Sequence, residues 1–254
     1  VTQLLDIATE AARSVGPLLR KAFRSRPEVT EKRDFHDPVT EHDRAAEEAI
    51  RAVITARRPE SAIVGEEGGA TGSGDLTWYV DPIDGTANFA AGLPFFCVSI
   101  AAAVRGELVA GVVYDPVRED EFTATDEGAW CNGARLRSAG AATDREAMLL
   151  TSYPTPIDLE TDGDLALRRY QRFLESFSAV RRPGSAALQL AHVAAGWSDA
   201  TFGTMSNPWD VAAGALLVRR AGGVYLGDPL VKGDYLATVG GFDLENSALA
   251  DVAH

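Results

Sequence analysis

Cysteine is nearly absent: Cys97 and Cys131 are the only two in 254 residues, with no CxxC pair. That excludes a disulfide framework and a thiolate zinc site, and makes a reducing, cytoplasmic setting the expectation. Histidine is equally sparse and scattered at His36, His42, His192 and His254, with no HExxH pair on a helix face to build a zinc centre. No run approaches the roughly 20 apolar residues of a membrane span. The opening VTQLLDIATEAARSVGPLLRKAF is amphipathic and lacks the form of a signal peptide. Basic residues are in deficit, 24 against 37 acidic ones, for a formal charge of -13. Such a surface repels phosphate backbones and anionic lipid, so neither a nucleic-acid polymer nor a membrane is an expected partner. An anionic substrate would need local attraction, which a divalent cation held by carboxylates supplies.

What remains is a composition 46% hydrophobic and 24% charged, that of an ordinary globular chain. At about 150 residues per domain the length fits one large domain or two joined ones. Leu4, Leu5, Ala8, Ala11, Ala12, Val15, Leu18, Leu19 and Phe23 recur at helical spacing and predict a long first helix. A second helix begins near Asp43 and ends before Pro59. SAIVGEEGG and LTWYVDPIDGT each predict a short strand ending in a turn. FFCVSIAAAV, a hairpin turn at Arg105-Gly106, ELVAGVVYDP, DEFTATDEG and AWCNG predict an antiparallel meander. From about Ala147 strands alternate with helices (MLLTSY, LALRRYQRFLESF, AVRRP, SAALQLAHVAAG, DATF, DVAAGALLVRRAGG, GGVYL), as in an α/β layer. The expected division is residues 1–146 and 147–254.

The chemistry concentrates in Asp81-Pro82-Ile83-Asp84-Gly85-Thr86, at the end of the strand Trp78-Tyr79-Val80. Two carboxylates three positions apart across a proline-bent turn can face one site, with the Ile83 carbonyl between them, and such oxygen donors suit Mg²⁺. Gly85 and Thr86 open toward Ala87 and Asn88, where backbone N–H groups would receive a phosphate oxygen if a helix follows. Gly65-Glu66-Glu67-Gly68, Asp43 and Trp209-Asp210 add acidic groups at other strand and helix ends. Each also has an ordinary reading: Asp43 and Asp210 as N-caps, Glu66-Glu67 as an exposed turn. His42 reads as a solvated loop residue. Trp78-Tyr79 and Phe95-Phe96 read as strand core, and Arg181, Arg182 and Tyr153 either as surface or as partners for a nucleotide base.

Taken together, the stretches from Lys32 to Asp43, Gly65-Glu66-Glu67, DPIDGTANF and WDVAAGALLVRRAGG resemble, in order and spacing and over nearly the whole chain, the inositol monophosphatase family of Mg²⁺-dependent, lithium-sensitive sugar-phosphate phosphatases. The resemblance implies a layered αβαβα sandwich. Its N-terminal α+β half, built on an antiparallel sheet, would carry most metal ligands, and its C-terminal α/β half would supply Asp210 and substrate contacts. It implies one Mg²⁺ on Glu66, Asp81 and the Ile83 carbonyl, a second on Asp81, Asp84 and Asp210, and a looser third using Glu66. Thr86 paired with Asp43 would activate water, the Gly85 and Thr86 backbone would cradle phosphate, and Lys32 and Thr40 would flank the site. Asp84, Ala186 in the run Gly184-Ser185-Ala186-Ala187, and position 203 fall on the substrate side. The implied partner is a small phosphorylated metabolite, and family members are usually homodimers. The apolar stretch from Phe95 to Tyr114 fits an interface or a core equally.

One departure matters. Seven positions before Asp210, where inositol-specific members carry a glutamate that accepts from ring hydroxyls, this chain has Gly203. The alcohol is therefore open among polyol phosphates, fructose 1,6-bisphosphate, histidinol phosphate and 3′-phosphonucleotides. Two rival classes remain. Aspartyl-nucleophile phosphatases space their two aspartates two apart near the N-terminus, unlike Asp81 and Asp84. A non-catalytic Mg²⁺- or phosphate-binding protein would have no need of the Thr86 and Asp43 pair.

Overall fold

The computed structural model describes residues 1–31 and 38–252. Lys32 and His36 lie outside the described residues. Helix α1 (Thr2–Ala22) buries Leu4, Ala8, Ala11, Ala12, Val15 and Leu19 as the periodicity predicts, and Ile7 with them, whereas Leu18 is exposed and Phe23 lies just past the helix end. The short strands β1 (Val29–Glu31) and β2 (Pro38–Thr40) pair antiparallel and lead into α2 (Glu41–Arg57). The chain continues through β3 (Ala62–Gly65), β4 (Gly69–Thr71), β5 (Leu76–Asp84) and the short α3 (Thr86–Ala91). The meander follows as β6 (Cys97–Val104), β7 (Glu107–Asp115), β8 (Asp120–Thr125), β9 (Gly128–Cys131) and β10 (Ala134–Arg135). The later part comprises β11 (Met148–Thr151), α4 (Pro156–Asp162), α5 (Asp164–Ser176), β12 (Ala179–Arg181), α6 (Ala186–Ala195), β13 (Ala200–Ser206), α7 (Pro208–Ala221), β14 (Val224–Leu226) and β15 (Gly233–Thr238).

Eight strands form one sheet in the order β10-β9-β8-β7-β6-β5-β3-β4. The meander β6 to β9 is antiparallel as expected, and every other pairing of the sheet is too except β3 with β5, which is parallel. The turn at Arg105-Gly106 forms as expected, with φ of 53° and 80°, as a two-residue hairpin of this twist requires. A second sheet of five strands runs β12-β11-β13-β15-β14, its first three strands parallel.

Helices α1 and α2 cover one face of the large sheet, while α6 and α7 lie between the two sheets. Phe173 of α5 packs with Leu149, Phe202 and Leu236 on the far face of the small sheet. The architecture is the αβαβα sandwich. Being enclosed by sheets, α7 is buried continuously from Val211 to Val218, which explains a sequence apolar on every side. Small residues permit this closeness: a Cβ at Gly214 would meet Leu190 Cβ at 2.5 Å, and one at Gly111 would meet Ala213 Cα at 3.1 Å. The apolar stretch of β6 and β7 is core, with Val98, Ile100, Ala102, Val112 and Val113 essentially inaccessible. Among the described residues no helix is long and apolar enough to cross a membrane.

Candidate active site

At the end of β5 the register to β6 shifts: Asp81 faces Ser99, but Asp84 faces Cys97. One extra residue is accommodated at Pro82-Ile83, a bulge where proline's missing N–H costs no ladder bond. In an unbroken strand, residues three apart point to opposite faces. The bulge turns Asp81 and Asp84 into the same cavity, about 260 Å³ in volume, which Glu66, Ile83, Gly85, Thr86, Asn88, Gly184, Ala186 and Asp210 also line. A larger groove of about 1180 Å³ between α1 and β8–β9 is lined by exposed Asp6, Glu10 and Glu127 and by Glu121, already paired with Arg13. Size therefore does not mark the site; converging carboxylates do.

Asp81 and Asp210 are each held through one oxygen, Asp84 and Asp43 through both. Asp81 Oδ1 accepts from the Ile83 N–H at 3.0 Å. Asp84 Oδ2 accepts from the Ser185 hydroxyl at 2.5 Å and the Ala187 N–H at 2.6 Å, with the Ala186 N–H 3.3 Å from Oδ1. Asp210 Oδ2 accepts from the Asn207 N–H at 2.7 Å. Asp210 and Asp43 are not N-caps but the third residues of their helices' first turns, closing capping boxes whose N-caps are Asn207 and Thr40. Asp43 is inaccessible to solvent. Its Oδ2 accepts from both the backbone N–H and the hydroxyl of Thr40, at 2.8 and 2.6 Å, and its Oδ1 from the Thr86 hydroxyl at 2.8 Å. The Thr86 hydroxyl also lies 3.0 Å from the Ile83 carbonyl.

Gly85 sits at φ 99°, a left-handed conformation open to glycine, and caps α3, so the chain reverses at once after Asp84. Asn88 fastens this turn by donating to the Phe95 and Pro183 carbonyls, both at 2.7 Å. Burial, then the charges of Glu66, Asp84 and Asp210, hold the Asp81 carboxyl well above its ordinary range, and the Glu66 carboxyl is within its hydrogen-bond reach. Burial raises Asp84 to about 6 despite the Ser185 and Ala187 donors, and burial and the Asp84 charge raise Asp210. Among the described residues no three acidic, histidine or cysteine side chains already close into a cation cage. The donor set nevertheless suits a hard cation: oxygen only, crowded, and disfavoured as bare anions.

Other sequence expectations fare differently. Gly203 does not line the cavity; a Cβ there would meet the Tyr235 ring at 2.5 Å, so that aromatic occupies the position's side-chain space. Thr40 supports Asp43 and does not line the cavity either. Tyr153 is core, 1% exposed, against Phe173 and Phe202, and so cannot stack on a base. His42 is helical, not a solvated loop residue, and lies edge-on to Phe89. Arg182 lies over Tyr170 and donates to the Pro154 carbonyl. Ser185, part of the Gly184-Ser185-Ala186-Ala187 run read as the start of a substrate-side helix, also N-caps α6 and holds Asp84, a role the sequence did not show; Glu47, one turn beyond Asp43 on α2, was missed.

A layered sandwich with a carboxylate-lined cavity where the end of β5 meets the first turns of α3, α6 and α7 describes a metal-dependent phosphatase fold. The chain matches the inositol monophosphatase family over residues 1–247 and belongs to it. It is 44% identical over 227 residues to Nus factor SuhB of Pseudomonas aeruginosa, covering 87% of this chain and 84% of that one. Among solved structures it is similar to the extragenic suppressor protein suhB from Bartonella henselae (TM-score 0.87, 33% identity, 94% of each chain). An IMPase from Thermotoga maritima is also similar (TM-score 0.83, 32% identity, 98% of this chain and 94% of that one). Membership supports a magnesium-dependent phosphatase.

Proposed function

We propose that this protein hydrolyses a small phosphate monoester, of a sugar or polyol in the first instance, by attack of an activated water on phosphorus. The observation that carries the reading is the buried Thr86–Asp43 hydrogen bond opening onto the cavity that Glu66, Asp81, Asp84 and Asp210 line. Glu66, Asp81, the Ile83 carbonyl, Asp84 and Asp210 would hold two or three Mg²⁺. When bound, these ions neutralise the phosphate dianion and acidify water. Thr86 passes its hydroxyl proton to the Asp43 carboxylate, 2.8 Å away, as its oxygen accepts one from the attacking water, so the proton leaving water ends on Asp43 and Thr86 stays a neutral hydroxyl. Thr40 fixes the other Asp43 oxygen, so the acceptor cannot rotate away. The first N–H groups of the turn at Gly85 and Thr86 receive a phosphate oxygen. Asp84 and Ala186 face the leaving alcohol.

The test is phosphate release from inositol, fructose bisphosphate, histidinol and 3′-nucleotide phosphates with and without magnesium, compared by kcat/KM. No release from any of them would sink the reading. Thr86→Ala should lower kcat by about 10²–10⁴, the range for losing a positioned acid–base group, while magnesium affinity measured by calorimetry stays near wild type. Parallel loss of both would remove Thr86 from its proposed role.

The alcohol meets no carboxylate from position 203. Because Tyr235 fills that space, Gly203→Glu alone should lose activity and stability, by about 1–3 kcal/mol for overpacking. Adding Tyr235→Ala should recover stability and raise the preference for inositol phosphate. Recovery without any change of preference would show that the position does not reach the alcohol.

The relatives' name, Nus factor SuhB, supports a second reading, a non-catalytic role beside or instead of hydrolysis. Retention of Thr86 with Asp43 favours catalysis. Homodimerisation and lithium sensitivity belong to this proposal on family grounds, with the oligomeric state to be read by sedimentation.

A further inference from the structure

Helix α2 carries Asp43, Glu47 and Arg51 at successive four-residue steps, so all three side chains share one face. Asp43 reaches Thr86. Glu47, one turn on, is 2% exposed and lies against the turn between β3 and β4 that contains Glu66. Its Oε2 accepts from the Glu67 N–H at 2.7 Å and its Oε1 from the Gly68 N–H at 2.8 Å. Arg51 balances the buried charge, donating Nε–H to Glu47 Oε1 at 2.7 Å. Its other nitrogens reach the Thr71 hydroxyl at 2.8 Å and the Gly69 carbonyl at 2.6 Å, across β4. On the opposite side the Glu66 N–H donates to the Val80 carbonyl at 3.2 Å, one residue before Asp81. The backbone that presents Glu66 is thus gripped from both directions. Glycine on each flank makes room: a Cβ at Gly68 would meet Glu47 Oε1 at 2.8 Å, and one at Gly65 would collide with the same carboxylate.

From this we infer that Glu47, backed by Arg51, is a positioning residue for the metal-facing turn: it sets the Glu66 carboxylate against Asp81, and so sets magnesium affinity, without touching ion or substrate. The inference rests on the magnesium reading of the cavity. A carboxylate is required because both of its oxygens accept. Glutamine would turn an amide N–H toward a backbone N–H or toward the Arg51 guanidinium, losing one bond and leaving a buried donor without a partner. Groups that orient a ligand from behind typically cost about 10- to 100-fold in metal affinity when removed. One rigid helix face would then fix both the water-activating pair and the turn that bears Glu66.

The experiment compares wild type with Glu47→Gln, using magnesium titration by calorimetry, hydrogen exchange of the Glu67 and Gly68 amides without metal, and kcat at saturating magnesium. Glu47→Gln should raise the magnesium Kd about 10- to 100-fold, accelerate exchange at those two amides, and recover kcat to within about threefold once magnesium saturates. That is the reverse of Thr86→Ala, and a merely structural defect would not be mended by the ion. Gly68→Ala, which disturbs the same contact from the exposed turn, guards against misfolding of the first variant and should raise Kd in the same direction. Wild-type Kd in both variants overturns the inference and leaves the phosphatase reading intact. Absence of any magnesium binding by wild type overturns that reading and the metal role of Glu47 with it. Unchanged exchange in Glu47→Gln overturns the grip on the turn by itself.

Discussion

Asp81→Asn is expected to melt at a higher temperature than wild type when magnesium is withheld, and to gain nothing when magnesium is added. The two effects have opposite signs because they come from one charge. Asp81 is 2% exposed, and burial together with the charges of Glu66, Asp84 and Asp210 disfavours its ionised form. Folding the metal-free chain near neutral pH therefore works against desolvation and repulsion. Asparagine keeps the oxygen that accepts from the Ile83 N–H and removes the charge. A gain on the order of 1 kcal/mol corresponds to roughly 2–4 °C for a chain of this size. With magnesium the order reverses: wild type is stabilised in proportion to ln(1 + [Mg²⁺]/Kd), and the variant is not. Activity should fall by more than the roughly 100-fold that a supporting group costs, since the proposed bridging ligand is gone. Scanning calorimetry at millimolar magnesium and without it decides the matter. A variant less stable than wild type in both conditions would mean that Asp81 is a structural carboxylate.

The stabilisation that magnesium confers is expected to widen as pH rises from about 5 to about 7.5, a window set by raised carboxyl groups. Asp84 titrates at about 6 in the folded chain against 3.8 for an unperturbed aspartate, because burial outweighs the donors from Ser185 and Ala187. Between those values the native state holds more protons than the unfolded one. The contribution of such a group is therefore fully present below the unfolded pKa and lost as pH rises through the folded pKa. Asp81 and Asp210 are raised in the same direction. Metal-free protein should then lose stability across this window, while magnesium, competing with protons for the same oxygens, restores more of it at each step. A magnesium-induced shift in Tm that is the same at both ends would contradict the assignment of these carboxyls to the ion.

Much of the architecture was legible because burial repeats at fixed periods. The stripe of α1 and the Arg105-Gly106 hairpin follow from local rules, and α7 was visible from its run of apolar residues. Helix α4 was not seen. Its seven residues, PIDLETD, have little apolar periodicity, although Thr155 and Asp158 form a capping box that announces its start. Strand β15 was missed as well, since Gly-Asp-Tyr-Leu-Ala-Thr shows no alternation when both faces of its central residues are buried. The parallel pairing of β3 with β5 depends on which strands meet at the sheet's edge, and no short-range signal encodes that.

The motifs around Asp81, Glu66 and Asp210 were enough by themselves to identify the family and the kind of chemistry, since residue type and spacing select oxygen donors at strand and helix ends. Where those groups stand was decided only in three dimensions. A one-residue bulge turns Asp84 to the side of Asp81, capping boxes hold one oxygen each of Asp43 and Asp210, and Glu47 fastens the turn that carries Glu66. The antiparallel register of β13 and β15 likewise sets Tyr235 into the space beside Gly203. Contacts between residues distant in the chain are fixed by packing and register, which depend on the whole set of layers and leave no mark at either position alone.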